Sequence, residues 1–299
     1  MKKNLLLIIN PNSGKGNVTK KINKIIYNFE KLNYKINTIY TEKNVSILEK
    51  SHKYLEKADL IVCCGGDGTL NETISMMIEL NIKTKLTFVP LGTMNDFSKT
   101  LNISKRQLFS IKKEKELKTV KVDIGIFNER YFNYIAAFGA FTEVAYETPQ
   151  KLKNIFGKLA YFGVAIKYLF KIKSYEAEIE FDGKKEKGKF LYGGISNSES
   201  IGGFKWYKKV DFRLDDGKLE MILIKKPKNV IQFFKVLILM LRKKYIEPYF
   251  IYSQVKNVKI NFKAAVKWTL DGEGIEKTKE VEINNINKAI EYVVPYNKK

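Results

Sequence analysis

Histidine occurs once in the 299 residues, at His52, and cysteine twice, as the adjacent pair Cys63 and Cys64. A single imidazole excludes a multi-histidine metal centre and argues against a Ser-His-Asp hydrolase, since both chemistries need histidine as ligand or base. His52 itself reads as a surface helix residue. Two neighbouring cysteines in a strand point to opposite faces, so no disulfide framework is expected, and cytoplasmic residence fits. Long apolar runs are missing too. The longest is 236-VLILML-241, far short of the roughly 20 residues of a membrane-spanning helix. Near the start, Leu5–Ile9 is shorter than the roughly 7–15 apolar residues of a signal-peptide core. Asn10 and Pro11 interrupt it and no small-residue cleavage site follows, so it reads as a buried first strand.

Acidic residues are scarce beside basic ones: 32 Asp and Glu against 54 Lys and Arg, a formal charge of +22. That excess predicts attraction to an anionic partner: nucleic acid, an acidic lipid surface or phosphorylated small molecules. An A- and T-rich genome would also inflate Lys, Ile and Asn, so charge alone does not choose among them. What is present in quantity is apolar residue, 44% of the chain, enough for a substantial core and against wholesale disorder. The length suits one large domain or two ordinary ones.

The first third alternates strand and helix patterns. Leu5–Ile9 is a strand, Val18, Ile22, Ile25, Ile26 and Phe29 lie at helical spacing over 18–33, and Lys35–Tyr40 alternates as a strand. An amphipathic helix follows over 45–57, then the buried strand 59-DLIVCC-64, a helix marked by Leu70, Ile74, Met77 and Ile78, and the strand 86-LTFVP-90. This βαβαβαβ order predicts a doubly wound, Rossmann-like parallel sheet. Beyond residue 120 the pattern becomes β-rich. Strands are expected over 131–138, 175–181, 189–196, 219–224, 254–262 and 264–270, with hairpin signals at Asp182-Gly183 and Asp216-Gly217 and helices over 156–170 and 230–244. The expected fold is therefore α/β plus β: a doubly wound domain over 1–125, and an antiparallel β domain over 126–284. Val281–Ile283 and Tyr292–Val294 are expected to return to the first domain, adding about 285–299 to it.

Three glycine-bearing polar loops stand at strand carboxyl ends: 10-NPNSGKG-16, 65-GGDGTLNE-72 and 90-PLGTMNDF-97. Ligands of open α/β sheets bind at that edge. Glycines let the backbone approach phosphate, and a helix start offers free N–H groups. Asp67 would repel phosphate unless a divalent cation lies between them, which points to a Mg²⁺-nucleotide site. Each loop alone also reads as an ordinary tight turn, and the first is not a Walker A loop because GxxxxGK[ST] is absent. Three at one edge are hard to ascribe to coincidence.

In this order and spacing the three motifs resemble the bacterial diacylglycerol-kinase-type lipid kinases, the family that includes the sphingosine kinases. GGDGT also recurs in NAD kinases, and the PLGTMNDF block favours the lipid branch. The likeness extends to 215-DDG-217 and 270-LDGE-273, nearly the whole chain. It implies a kinase built of a nucleotide domain and a β-sandwich, with ATP in the cleft between them, bound by Asn10, Thr41, Gly65, Gly66, Asp67, Gly68, Thr69, Leu70, Asn71 and Thr93. It implies a catalytic Mg²⁺ held by Asp67, Asp96 and Asp123, partly through water, and a structural Mg²⁺ on the Asp216 carboxylate and the main-chain oxygens of Arg213 and Lys218. Asp271 resembles the general base that takes the lipid hydroxyl proton, with Glu273 as rival or partner. Homodimers are common in such a family. Many members carry three glycines and a proline ahead of the DDG turn; here only Gly202 and Gly203 appear, with Val210 at the proline position, in a region expected to face substrate.

A lipid kinase must reach its lipid. Residues 155–173 and 231–245 combine apolar and aromatic residues with lysines and Arg242, which suits either a packed helix or an anionic interface. The reading is thus an ATP- and Mg²⁺-dependent kinase of a lipid hydroxyl, most plausibly diacylglycerol, peripherally recruited to the inner face of the membrane and not bound to nucleic acid. The alternatives are a kinase of a soluble substrate such as NAD, a basic nucleic-acid or membrane-binding protein, and a non-catalytic sensor.

Overall fold

The computed structural model describes residues 2–14, 18–43, 45–93, 95–103, 113, 116–140, 173–198, 200–201, 204–205, 212–242 and 244–296. The N-terminal half runs β1 (Lys3–Ile9), α1 (Val18–Lys31), β2 (Tyr34–Tyr40), α2 (Ile47–Leu55), β3 (Leu60–Gly65), α3 (Asp67–Glu79), β4 (Lys85–Pro90) and the short α4 (Asp96–Thr100). β1, β3 and β4 are apolar on both faces because helices cover both sides of a parallel sheet, and every residue of β3 is buried. α1 turns Ile22, Ile25 and Phe29 inward. Ser46 caps α2, its hydroxyl accepting from the Glu49 amide at 3.2 Å. The parallel pairs place the strands in the order β2-β1-β3-β4. Winding reverses between β1 and β3, and the crevice at their carboxyl ends is where such a sheet binds ligand.

The remainder runs β5 (Leu117–Phe127), β6 (Arg130–Phe132), β7 (Ile135–Gly139), β8 (Tyr175–Phe181), β9 (Lys184–Ser196), β10 (Ser200–Ile201), β11 (Phe204–Lys205), β12 (Leu219–Lys225), α5 (Val230–Leu241), β13 (Phe250–Val255), β14 (Asn257–Val266), β15 (Trp268–Leu270), β16 (Glu273–Gly274) and β17 (Thr278–Pro295). These strands pair antiparallel into the β-sandwich half, around an aromatic core that includes Phe127, Phe132, Phe138, Phe190, Phe262 and Trp268. β8 shows why the pattern was readable: Ala177, Ile179 and Phe181 are buried while the glutamates between them face solvent. Asp182 and Gly183, with φ of 44° and 80°, form the two-residue hairpin to β9.

Several boundaries depart from the sequence expectation. The two short return strands are one 18-residue strand, β17, and its partner, the 11-residue β5, was not anticipated. Their alternation is broken by a register shift between Ile286 and Ile290, which hides a long strand from pattern reading. The run 131–138 divides into β6 and β7, and 254–262 divides at Lys256, where the Asp182 carboxylate accepts the Lys256 and Asn257 amides. Asp216-Gly217 does not join paired strands; it is a turn leading into β12. The expected helix over 156–170, Gly202, Gly203 and Val210 lie outside the described residues.

β5 and β17 carry the chain between the two cores. Val122 and Ile124 pack in the first and Phe127 in the second; Val281 and Ile283 lie in the second, and Ile290, Tyr292 and Val294 in the first. Near Tyr292, β17 pairs in parallel with β4, so among the described residues fifteen strands form one hydrogen-bonded sheet.

Both thiols are buried, and burial pushes Cys63 up to about 12 and Cys64 well above its ordinary value. The native protein is therefore expected to leave a thiol reagent such as DTNB unreacted at mildly alkaline pH, and to titrate both cysteines in urea. Prompt native reaction would show that β3 is not a central strand.

Candidate active site

The three glycine loops meet at the predicted edge. Asn10 follows β1, and its amide donates to the Cys64 carbonyl of β3 at 2.9 Å. Its side-chain Nδ2 donates to Thr69 Oγ1 at 2.9 Å, tying the first loop to the second. The Gly65 carbonyl accepts the amides of Leu91 at 2.8 Å and Gly92 at 3.2 Å, tying the second to the third. Side chains are excluded where the loops nest. A Cβ on Gly14, whose φ is +85°, would fall 2.1 Å from the Leu91 carbonyl oxygen, and one on Gly92 would fall 2.7 Å from the Gly66 Cα. The glycines here let three backbones touch, which the sequence reading had ascribed to phosphate approach alone.

α3 begins at Asp67, so Asp67, Gly68 and Thr69 form its first turn. The Asp67 carboxylate faces the start of α4, accepting from the Asp96 amide at 3.2 Å and the Phe97 amide at 3.4 Å. Burial pushes its pKa up; these two amides oppose the shift, and the charges of Asp96 and Asp271 add to it. Asp96 pairs with Lys99 at 2.6 Å. The donors at this corner are oxygens with like-charge repulsion between them, a composition that fits a hard divalent cation. No cluster of three or more His, Cys, Asp or Glu suited to a metal exists among the described residues, so a cation here would draw further ligands from phosphate oxygens and water.

Across the crevice stands the turn between β15 and β16. Asp271 and Gly272 have φ of 50° and 90°, and Leu270 pairs with Glu273, a two-residue hairpin that aims both carboxylates at α3. Asp271 Oδ1 accepts the Tyr134 and Ile135 amides at 2.8 and 2.9 Å. Its Oδ2 accepts the Asn133 amide at 2.8 Å and Asn71 Nδ2 at 3.0 Å. The break between β6 and β7 thus turns three successive amides onto one carboxylate. A carboxylate offers about four lone-pair sites, and all four are filled. Burial raises the Asp271 pKa against the pull of these donors. Glu273 differs. It is exposed and makes no hydrogen bond or ion pair among the described residues, and its Oε1 lies where a Cβ on Gly68 would approach to 2.7 Å. It stands free over the first turn of α3.

The fully buried Asp123 joins a different cluster. Its Oδ1 accepts the Lys288 amide at 2.6 Å, and its Oδ2 accepts the Gly217 amide at 2.6 Å and Asn285 Nδ2 at 3.2 Å. Burial raises its pKa, with a smaller push from Asp216. Asp216 Oδ1 accepts the Lys218 amide at 3.0 Å, and Arg213 pairs with Asp215 at 3.3 Å. The structure therefore divides the expected Asp67, Asp96 and Asp123 set: the first two flank the crevice, and Asp123 anchors the DDG turn. A path of side chains connects the clusters. Thr100 of α4 meets Ser198 at 2.7 Å, and Asn197 Nδ2 donates to the Asp123 carbonyl at 2.7 Å.

A cleft of about 670 Å³ opens between the halves, lined by Asn10, Gly66, Gly68, Thr69, Asn71, Asp271 and Glu273 together with Ser13, Arg130 and Tyr131. Leu70 is a fully buried core residue, so its side chain is not a nucleotide contact. Asn71 uses its amide to bridge Asp271 and the Tyr131 carbonyl, 3.0 Å from each. Gly65 closes β3. Thr41 follows β2, its amide on the Ile9 carbonyl at 2.8 Å, and Thr93 is exposed in the third loop; neither lines the cleft. The sequence reading missed Arg130, a cation brought to the cleft by the β5–β6 hairpin. No motif marks it; only the Asn128-Glu129 turn, with Asn128 at φ 51°, would have located it.

The family model described as the diacylglycerol kinase catalytic domain matches residues 4–126. A diacylglycerol kinase of Staphylococcus aureus (strain bovine RF122 / ET3-1) is 34% identical over 276 residues, 91% of this chain and 87% of the relative. That of strain MRSA252 is 34% identical over the same extent. A crystal structure of a diacylglycerol kinase from Bacillus anthracis str. Sterne superposes with a TM-score of 0.75 at 24% identity, covering 99% of this chain and 97% of that one, which supports the fold. With a relative above 30% identity over most of its length, and with the cleft assembled as described, this chain belongs to the diacylglycerol kinase family of phosphotransferases.

Proposed function

We propose that the protein transfers the γ-phosphate of ATP to a lipid hydroxyl, with diacylglycerol as the acceptor named by its relatives. The observation that carries this is a cleft in which a free carboxylate, Glu273, faces a helix start and three nested glycine loops across a gap lined by both halves. ATP phosphates would lie over Asn10, Gly66, Gly68 and Thr69, against the positive end of α3. Mg²⁺, when bound beside Asp67 and Asp96, neutralises charge on the transferred group. Arg130 is placed to add a cation from the other wall. Phosphoryl transfer leaves the protein little covalent work beyond placing the nucleophile and accepting its proton.

Glu273 is the better proton acceptor, reversing the emphasis of the sequence reading. Asp271 has no lone pair left for a hydroxyl proton; its role is to lock the turn that presents Glu273. Residues 1–125 with 285–299 would form the nucleotide domain and 126–284 the lipid domain, with β5 and β17 shared between them.

The lipid is reached from a membrane surface. No helix among the described residues is long and apolar enough to cross a bilayer. α5 leaves Ile231 and Ile238 80% and 49% exposed, beside exposed Lys228, Lys235 and Arg242. A basic helix with outward apolar residues suits peripheral binding to an anionic leaflet.

Three outcomes test this reading. Glu273→Gln should keep fold and nucleotide affinity but lose about 10²–10⁴-fold in kcat, the range of general-base contributions, in an assay of labelled phosphate transfer from ATP to diacylglycerol in mixed micelles. Asp271→Asn should instead turn an NH₂ group against backbone amides, lowering stability in urea by about 3 kcal/mol as well as activity. A stable, inactive Asp271→Asn beside a fully active Glu273→Gln would return the base role to Asp271. In liposome sedimentation, binding should rise with anionic lipid and fall with salt; indifference to lipid charge would end the membrane reading. Transfer to NAD without transfer to lipid would replace the substrate class.

A further inference from the structure

β12 opens on an apolar row broken by one carboxylate. Glu220, Ile222 and Ile224 share the face turned toward the first core, and Glu220 has no accessible surface. One of its oxygens, Oε1, accepts Gln254 Nε2 from β13 at 3.3 Å. The other, Oε2, is buried without any hydrogen-bond partner. An ionised carboxylate with a bare oxygen is among the costliest groups to bury, and burial pushes the Glu220 pKa up to about 8.

Its neighbours do not relieve it. Glu220 lies directly across the ladder from Ser196, whose Oγ is also buried without a partner. Asn197 follows, with Nδ2 donated to the Asp123 carbonyl and Oδ1 unpartnered. Asn285 likewise gives Nδ2 to Asp123 and leaves Oδ1 unpartnered. Asp123 and Asp216 act electrostatically on Glu220 as like charges. Among the described residues, no lysine or arginine side chain forms an ion pair with any of these three carboxylates. The cluster thus gathers several unpaired oxygens, one of them the Ser196 hydroxyl, around three carboxylates that lack a cationic partner among the described residues. A buried water would serve two or three of the acceptors; a divalent cation would also hold the carboxyl ionised against burial and draw on its bare oxygen.

We propose that Glu220 is a further ligand, direct or through one water, of a divalent cation at the Asp216 turn, and that this cation clamps β12, β9 and the β17 bulge to Asp123. The proposal rests on reading that turn as a cation site, and extends its set of residues into the core. The coordination is by hard oxygens alone, matching Mg²⁺, with Mn²⁺ as its spectroscopic substitute.

The test is Mn²⁺ binding to the full chain without nucleotide, followed by the EPR signal of free Mn²⁺, in the wild type, Asp216→Asn, Glu220→Gln and Glu220→Asp, with thermal unfolding in parallel. Asp216→Asn should remove one class of site. Glu220→Gln should weaken the same class at least tenfold and lose the rise in Tm on adding Mg²⁺. Glu220→Asp keeps the charge and should recover part of the binding; it also decides the matter if the glutamine variant does not fold. If Asp216→Asn loses the site while both Glu220 variants bind as wild type, Glu220 is no ligand and the turn site stands without it. If Asp216→Asn loses no site, the cation reading of the turn fails and the proposal with it.

Discussion

The Asp271 carboxylate takes four hydrogen bonds, and they come from opposite sides of the cleft: three from the corner between β6 and β7, and one from Asn71 on α3. One side chain therefore sets the distance between the nucleotide half and the β-sandwich half at the point where chemistry is to occur. Such bonds to a charged acceptor are about twice as strong as neutral ones, and low local dielectric strengthens them further. With Asp271 held, the two-residue hairpin has only one way to run, and Glu273 arrives over the first turn of α3. The proposed division of labour between the two carboxylates follows from coordination: Asp271 is saturated by four donors, and Glu273 is unengaged.

On the opposite wall the constraint is steric. Loops after β1, β3 and β4 come within van der Waals contact, and the Leu91 carbonyl and the Gly66 Cα stand where side chains on Gly14 and Gly92 would fall. The winding reversal between β1 and β3 opens the crevice, and the glycines keep it from being filled by its own rim. Asp67 then stitches α3 to α4 through two amides, so the acidic corner is braced by the same loops that would receive phosphate.

The halves are also joined behind the cleft. β5 and β17 run as a long antiparallel ribbon through both cores, interrupted by one bulge where Lys288 adopts φ 52°. That bulge turns the Lys288 amide onto Asp123 and brings Asn285 and the DDG turn to the same carboxylate. A ribbon with a buried anionic knot makes a stiff hinge region, since displacing either strand would strand polar groups in the core.

What the sequence determined by itself is what short-range physics writes into it. Period-2 and period-3.6 patterns placed β1 to β4 and their helices, Asp182-Gly183 placed its hairpin, and three glycine loops at strand ends marked the candidate site and, by resemblance, the family. Tertiary structure decided what depends on residues far apart in the chain. Asn71 and Asp271 are separated by 200 positions, so nothing local could show that one exists to hold the other, or that Asp271 would be saturated and Glu273 free. Leu70 carried two readings, a helix marker by its apolar spacing and a nucleotide contact by its motif, and its full burial in α3 leaves its side chain the first. β17 read as two fragments because a bulge resets the alternation on which strand reading relies. Asp123 left the acidic set it was grouped with because its partners, Gly217, Asn285 and Lys288, are gathered only when β5, β17 and β12 close around one buried charge.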